Sequence, residues 1–158
     1  MPKKNSSSGL VTLSRALRSP AEFASHLRMI DEATGKHIRM SDGMWQWQHD
    51  FLELLTEHKK LVLLKCRQVG VSWLLMIYAL WKAHRYPGAR IIVFSKGLRD
   101  AVHLMERLKF LCEYVPMEWA GHIQITSPNT QQIVGFANGS QIEAHPSTPE
   151  AGRGRPAA

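Results

Sequence analysis

The chain has 158 residues, of which 44% are hydrophobic, so its composition excludes a wholly disordered protein and predicts one domain with a core. Its formal net charge of +7 suits a polyanionic partner such as nucleic acid or an acidic membrane surface, although a merely soluble protein also fits it. We find no bilayer-spanning apolar run, secretory signal, C-x-x-C pair or metal-binding histidine spacing, which predicts an intracellular protein without a zinc or redox site.

Residues 1–40 are predicted to be a helical and partly disordered lead-in to the domain. Their first nine residues are rich in lysine and serine. A short helix is predicted over Leu10–Arg18, and Ser19 followed by Pro20 is a start signal for a second helix over Pro20–Ile30. A short extended piece is expected at Lys36–Met40.

A third helix and an apolar run follow the turn signal at residues 41–43. The run of residues 44–58 carries its large apolar side chains on one helical face, at Trp47, Phe51, Leu52 and Leu55. Leu61–Leu64 is a continuous apolar run, which is typical of a central parallel strand covered on both faces.

The loop Lys65–Gly70 then leads into a helix that begins at Val71 or Ser72. A strand, a glycine-bearing basic loop and a helix start form a phosphate cradle, because backbone N–H groups and the helix dipole favour an anion there. The usual pattern is G-x-x-x-x-G-K-[ST]. Here Gly70 and Ser72 match, whereas Lys65 replaces the first glycine and Val71 replaces the lysine.

Positive charge is nevertheless present inside this loop. Lys65 and Arg67 can both meet a phosphate, and Gln68 adds a neutral donor. The alternative interpretation is an ordinary strand–turn–helix with Ser72 as a capping residue.

The middle of the chain alternates helix and strand. The helix Ser72–His84 is apolar almost all round and is therefore expected to be buried. A second buried strand is predicted at Arg90–Ser95, and a long helix from about Leu98 to Tyr114. This order predicts an α/β fold in which the strands Leu61–Leu64 and Arg90–Ser95 run parallel through right-handed crossovers.

The last part of the chain has a different pattern. Short strands are predicted at Ile123–Thr126, Gln132–Phe136 and Gln141–Ala144, and Asn138-Gly139 between the last two is a strong hairpin signal. We interpret these strands as an antiparallel appendage to the parallel sheet. The remaining residues to position 158 are turn-rich and basic.

Taken together, these features resemble the N-terminal part of a phage terminase large subunit, the motor ATPase that packages viral DNA. The resemblance covers roughly residues 44–155. It depends on Trp47-Gln48 opening a helix, on the R-Q-x-G-x-S loop ending at Ser72, on the strand at Arg90–Lys96, and on the N-G-S hairpin that leads to the G-R-G-R run at residues 152–155. It implies a P-loop NTPase-type parallel sheet flanked by helices, with an antiparallel β-hairpin near the C-terminus.

The family implies a role for several residues in binding ATP and Mg²⁺. Gln48 would read the adenine edge, with Trp45 or Trp47 as a stacking or packing surface, although ordinary core packing is the alternative for either tryptophan. The implied phosphate, loop and magnesium residues are Lys65 and Arg67 for the β and γ phosphates, Gln68 and Gly70 for the loop, and Ser72 for Mg²⁺. Arg153 or Arg155 would be an arginine finger, and the alternative for both is a solvated basic tail.

The resemblance also sets expectations for completeness and partners. The Walker B carboxylates and the nuclease domain of the family are not found, so residues 41–158 are expected to be an incomplete P-loop ATPase domain that binds ATP weakly at most, and enzymatic activity is left open. Family partners are double-stranded DNA, the terminase small subunit, the portal protein and further copies in a ring, with no membrane, in the cytoplasm of a host bacterial cell.

Two other interpretations remain open. The glutamine motif and phosphate loop also resemble the first lobe of a superfamily 2 helicase, although such loops normally keep the lysine that Val71 replaces. Alternatively, the chain is a non-catalytic basic DNA-binding or assembly module with a vestigial nucleotide pocket.

Overall fold

A computed structural model describes residues 6–31, 33–65 and 69–147. The helices are α1 (Ser6–Ala16), α2 (Pro20–Ser25), α3 (Met40–Gly43), α4 (Gln46–Glu57), α5 (Val71–Arg85) and α6 (Leu98–Glu113), with a 3₁₀ turn at Met117–Trp119. The strands are β1 (Arg28–Ile30), β2 (His37–Arg39), β3 (Arg90–Ser95), β4 (Ile125–Asn129), β5 (Ile133–Phe136) and β6 (Gln141–Pro146). The predicted α/β class is therefore confirmed.

Among the described residues, the main sheet has four strands in the order β3-β6-β5-β4. Strand β3 runs parallel to β6, with Arg90 opposite Gln141 and Ser95 opposite Pro146, and the other pairs are antiparallel. The predicted hairpin at Asn138-Gly139 is confirmed between β5 and β6, and Gly139 adopts the positive φ of 83° that such a turn requires.

Helix α5 lies at the centre of the core, as its uniformly apolar sequence predicts. It contacts α2, α4, α6 and the two parallel strands. Its fully buried side chains include Leu74, Met76, Ile77 and Leu80.

Helices α1 and α2 contribute directly to this core. Phe23 on α2 stacks on Trp119 at a ring-centroid distance of 5.5 Å, and both side chains are fully buried. The indole Nε1 of Trp119 donates to Thr12 Oγ1 at 3.0 Å, and that of Trp81 donates to the Leu17 carbonyl at 3.1 Å. These bonds join α1 and its C-terminal end to elements distant in sequence.

The predicted helix Pro20–Ile30 is too long. It ends at Ser25, and Arg28–Ile30 instead forms β1, which pairs antiparallel with β2. The turn between the strands is held by Asp31, whose carboxylate accepts hydrogen bonds from Thr34 Oγ1 and the Ala33 N–H. This turn returns the chain alongside β1, so cross-strand bonds replace the last helical turn, and the predicted extended piece at Lys36–Met40 is confirmed as β2.

The predicted buried strand at Leu61–Leu64 is wrong. The run has no secondary structure, and its side chains are exposed, with Val62 at 95% and Leu64 at 99%. A strand requires a neighbouring backbone, and β3 pairs among the described residues with β6 alone. The predicted parallel pairing of Leu61–Leu64 with Arg90–Ser95 is therefore also wrong, and the parallel partner of β3 is β6.

The C-terminal strands are not an appendage. Strand β6 lies inside the sheet, between β3 and β5. Its Ile142 and Ala144 are fully buried, and the buried Glu143 carboxylate lies 2.9 Å from His145 Nε2. Strand β3, by contrast, lies at an edge of the described sheet, and its side chains are half-buried or exposed.

Candidate functional site

A cavity of about 470 Å³ opens where the segment before α5 meets α4, the β1–β2 turn and α6. Its lining includes Gln48, Lys65, Gly70 and Ser72, four of the residues that the sequence assigned to nucleotide binding. Its volume falls within the range of roughly 300–1,000 Å³ that is usual for small-molecule sites. The fold thus brings the predicted glutamine, lysine, glycine and serine to one concave surface.

The N-terminus of α5 forms one wall of this cavity. Gly70 caps the helix in the left-handed conformation, with φ of 75°, and its carbonyl accepts bonds from the N–H groups of Trp73 and Leu74. The first turn carries no acidic side chain, whereas basic residues lie in the last turn. Because the first N–H groups of a helix lack partners within the helix, this end is suited to an anion.

Gln48 connects this wall to the start of α4. Its side chain is 7% exposed, its Oε1 accepts from the Trp45 N–H at 3.0 Å, and its Nε2 donates to the Val69 carbonyl at 3.3 Å. A Cβ at Gly70 would lie 3.4 Å from Gln48 Nε2, which is an ordinary contact, so the positive φ rather than lack of space favours glycine here. Gln48 therefore fixes the loop before α5, and its amide retains one N–H and one lone pair for a ligand.

The two neighbouring tryptophans have different positions. Trp45 is 62% exposed and lines the cavity, whereas Trp47 packs against the hydrophobic core. Their ring centroids lie 6.4 Å apart. Trp45 is therefore the tryptophan that can offer a ring face to a planar ligand, and Trp47 has the core role that the sequence left open.

Lys65 is the loop cation that the structure describes, and its exposed side chain lines the cavity. Arg67 and Gln68 of the same loop lie outside the described residues, as do Arg153 and Arg155. Their predicted roles stay predictions.

The sequence analysis did not predict the wall of the cavity that lies opposite the start of α5. It consists of Met29, Ile30, Asp31 and Ala33 from β1 and the following turn, and Arg107 from α6. Hydrogen bonds from Thr34 and the Ala33 N–H lower the pKa of Asp31, so this carboxylate is ionised at neutral pH. The β1 residues were missed because their run was interpreted as the end of a helix.

The described side chains offer few other reactive groups. Burial raises the pKa of the Cys112 thiol to about 12, so it remains protonated and is a poor nucleophile. No group of three or more histidine, cysteine, aspartate or glutamate side chains that could hold a metal occurs among residues 6–31, 33–65 and 69–147. The Ser72 hydroxyl is an oxygen of the cavity lining that could contact a Mg²⁺ ion.

Two further cavities lack the predicted residues. One of about 810 Å³ lies between the β1–β2 ribbon and the C-terminal end of α6, and one of about 440 Å³ lies between α1 and the C-terminal end of α5.

Within the described part of the chain, no helix is both long and apolar enough to cross a membrane. No protein-family model matches the chain, and no curated protein matches it significantly.

Proposed function

We propose that the chain binds ATP with Mg²⁺ and is the nucleotide-binding part of a DNA-packaging motor ATPase of the terminase type. The observation that supports this proposal is the shared cavity, which unites Gln48 and Trp45 on α4 with Lys65, Gly70 and Ser72 around the start of α5. The order of these residues in the sequence is the order expected for that family.

The residues present fit such a ligand. Lys65 and the first turn of α5 offer positive charge to the phosphates, and the Ser72 hydroxyl offers an oxygen to the metal. Trp45 and the apolar side chains of Met29 and Ile30 suit the planar base. When bound, Mg²⁺ would neutralise phosphate charge and hold the triphosphate in one conformation.

Binding is proposed here rather than efficient hydrolysis. Among the described lining residues Asp31 is the single carboxylate, and both of its oxygens already accept hydrogen bonds within its own turn. Asp31 is held in the turn after β1, and no second carboxylate among the described lining residues accompanies it to orient an attacking water. ATP turnover at the rate of a complete motor, abolished by Ser72→Ala, would contradict this part of the proposal.

The decisive experiment is a calorimetric titration of the purified chain with ATP in the presence of Mg²⁺. We expect saturable binding that Lys65→Ala weakens about tenfold or more, since that corresponds to about 1.4 kcal/mol or more of lost interaction. Ser72→Ala should chiefly reduce the dependence of the ATP affinity on Mg²⁺. Lys60→Ala is the matched control, because Lys60 is an exposed lysine of the same segment that does not line the cavity.

Two results would refute nucleotide binding at this site. One is the absence of saturable binding by a wild-type chain whose circular dichroism shows it to be folded. The other is equal affinity of the wild type, Lys65→Ala and Lys60→Ala.

The proposed family also implies a substrate, protein partners and a location for this chain. Double-stranded DNA would be the transported substrate, and the terminase small subunit, the portal protein and further copies in a ring would be partners, in the cytoplasm of a host bacterium. Arg153 or Arg155 would act as the arginine finger on a neighbouring copy.

A second candidate function is DNA binding or assembly without a catalytic role, which the net charge of +7 favours. Both candidate functions involve contacts to DNA phosphates, so both predict a DNA affinity that falls steeply as salt is raised. Salt dependence alone therefore does not separate the two candidate functions. DNA binding that persists without ATP and survives the double change Lys65→Ala with Arg67→Ala would favour the second candidate.

A further inference from the structure

We propose that Arg28 and Arg39, which face each other across the β1–β2 ribbon, form a binding site for the phosphate backbone of double-stranded DNA. They line the cavity of about 810 Å³ between this ribbon and the C-terminal end of α6, whose described lining residues differ from those of the nucleotide cavity. The inference rests on the proposed function, and equally on the second candidate function, for DNA as the partner. It goes further by naming the surface that contacts the DNA.

The β1–β2 ribbon places the two arginine side chains directly opposite each other. Arg28 pairs with Arg39 in the register of the strands, and paired residues project from the same face. At the next register position the Met40 N–H donates to the Leu27 carbonyl at 3.0 Å. Because hydrogen-bonded and non-hydrogen-bonded pairs alternate along an antiparallel ladder, Arg28 and Arg39 form a non-hydrogen-bonded pair, the kind whose side chains lie closest together.

Two like charges in this position repel each other. Residues of like charge that lie directly opposite across two strands destabilise the pairing of those strands. Both arginines are exposed, and among residues 6–31, 33–65 and 69–147 neither of them has an ion-pair partner. An anion between the two guanidinium groups would relieve this repulsion, because each group can donate a bidentate pair of hydrogen bonds to phosphate oxygens.

Aromatic contacts hold this face of the ribbon against the end of α6. His37 lies on the same face as the arginines, two residues before Arg39. Its ring makes edge contacts with Phe110 and Tyr114, at ring-centroid distances of 5.1 and 4.8 Å. The arginine pair is therefore positioned at the edge of the cavity by contacts that do not involve the arginines themselves.

The charge of the cavity lining favours an anionic ligand. Glu113 is the single acidic residue among the described lining residues, and two arginines accompany it. It is exposed, and within the described part of the chain it forms no ion pair with either arginine. The net charge of +7 adds long-range attraction for DNA, which presents its phosphates at the surface of the duplex in regular repetition.

The test measures binding of a fluorescently labelled double-stranded DNA to the whole chain by fluorescence anisotropy at several salt concentrations. The double change Arg28→Ala with Arg39→Ala should weaken binding about tenfold at low salt. It should also lower the slope of log affinity against log salt by about two, because each lost phosphate contact removes roughly 0.9. Glu113→Gln should strengthen binding, because it removes a negative charge near the phosphates.

The matched control is the double change Arg15→Ala with Arg99→Ala. Both of these arginines are exposed, neither lines the cavity, and their loss lowers the net charge by the same amount. This control should bind DNA within about twofold of the wild type and keep its salt slope, since charges remote from the bound phosphates are screened.

A second measurement separates a binding site from a structural role. Without DNA and at low salt, Arg39→Gln should leave the midpoint of thermal unfolding unchanged or raise it, because it removes the repulsion across the ribbon. The same variant should bind DNA more weakly than the wild type. A variant with a lowered midpoint and weakened DNA binding together would show that Arg39 supports the fold, which would overturn the inference.

The remaining outcomes also decide the inference separately from nucleotide binding. If the double variant and its matched control bind DNA equally well, the inference is wrong, and the ATP titration still tests the proposed function. If the folded wild type binds no DNA but binds vesicles that contain an anionic phospholipid, the surface is one for a membrane and the inference is wrong. If ATP does not bind while the double variant loses DNA binding as expected, the inference stands and the proposed nucleotide binding fails.

Discussion

Two apolar runs of this chain look alike in sequence and differ completely in structure. Arg90–Ser95 is a strand, paired along its whole length with β6 and covered by α6. Leu61–Leu64 has no secondary structure and exposes its side chains. Both runs are short, apolar and followed by a helix, so their composition does not separate them.

The difference lies in what surrounds each run. The backbone of β3 bonds to a strand about fifty residues later in the chain, whereas no described strand lies beside Leu61–Leu64. An extended segment without a neighbour leaves its N–H and C=O groups to water and gains little from apolar side chains that remain exposed. An apolar run is thus a strand only when a partner backbone is present.

The largest effect should come from truncating the partner of β3. Ile142 is fully buried at the centre of β6, opposite Ile91. Ile142→Ala should reduce the free energy of unfolding by about 2–5 kcal/mol, because it removes buried methyl groups and leaves a cavity. The matched change Leu64→Ala in the exposed run should alter it by less than about 0.5 kcal/mol. Denaturant unfolding measures both, and equal losses would refute the contrast.

A smaller effect is expected at the turn that positions β6. Ser140 is fully buried, and its Oγ donates to the Ala83 carbonyl at 2.7 Å and accepts from the Ala89 N–H at 3.1 Å. Ser140→Ala should cost about 1 kcal/mol, because each carbonyl or N–H affected keeps another partner. Ser41→Ala, at an exposed serine, is the control in the same denaturant experiment, and a neutral Ser140→Ala would show that the turn needs no such anchor.

The free energy of unfolding should also depend on pH, through His84 of α5 where it packs against the sheet. Burial of His84, which packs edge-on against Phe136 at 4.8 Å, lowers its pKa below the ordinary value of 6.5, against a smaller opposing effect of its bond to the Leu80 carbonyl. The unfolded chain then binds a proton at a pH where the folded chain does not. Stability is therefore greatest above pH 6.5 and falls as the pH decreases toward the lowered pKa.

The measurement is the free energy of unfolding as a function of pH for two variants. His84→Phe keeps an aromatic ring and should flatten the acid slope relative to the wild type. His58→Phe, at an exposed histidine just before the apolar run, should keep that slope. A slope unchanged in His84→Phe would contradict the assignment.

The smallest effect on stability is expected in the exposed run itself. The double change Val62→Lys with Leu64→Lys should alter the free energy of unfolding by less than about 0.5 kcal/mol, because neither side chain is buried. It should reduce self-association, since it breaks an exposed apolar patch. Sedimentation measures association, and a stability loss above about 1 kcal/mol would mean that the run packs against the fold after all.

The candidate site was predictable in part, and the limit is physical. Gln48, Gly70 and Ser72 stand close to helix starts, where residue types and spacing carry the signal directly, and the fold brings them to one cavity with Lys65. Arg107 and Asp31 come from elements that only the tertiary structure places there.

Sequence by itself determined the elements whose bonds are local. The long helices α5 and α6 and the Asn138-Gly139 turn follow from periodicity and turn chemistry, because their hydrogen bonds join residues a few positions apart. Only the tertiary structure decided that β6 lies beside β3, that Arg28–Ile30 is a strand and that Leu61–Leu64 is not. Strand bonds join segments that are distant in the chain, so no local pattern specifies whether the partner is there.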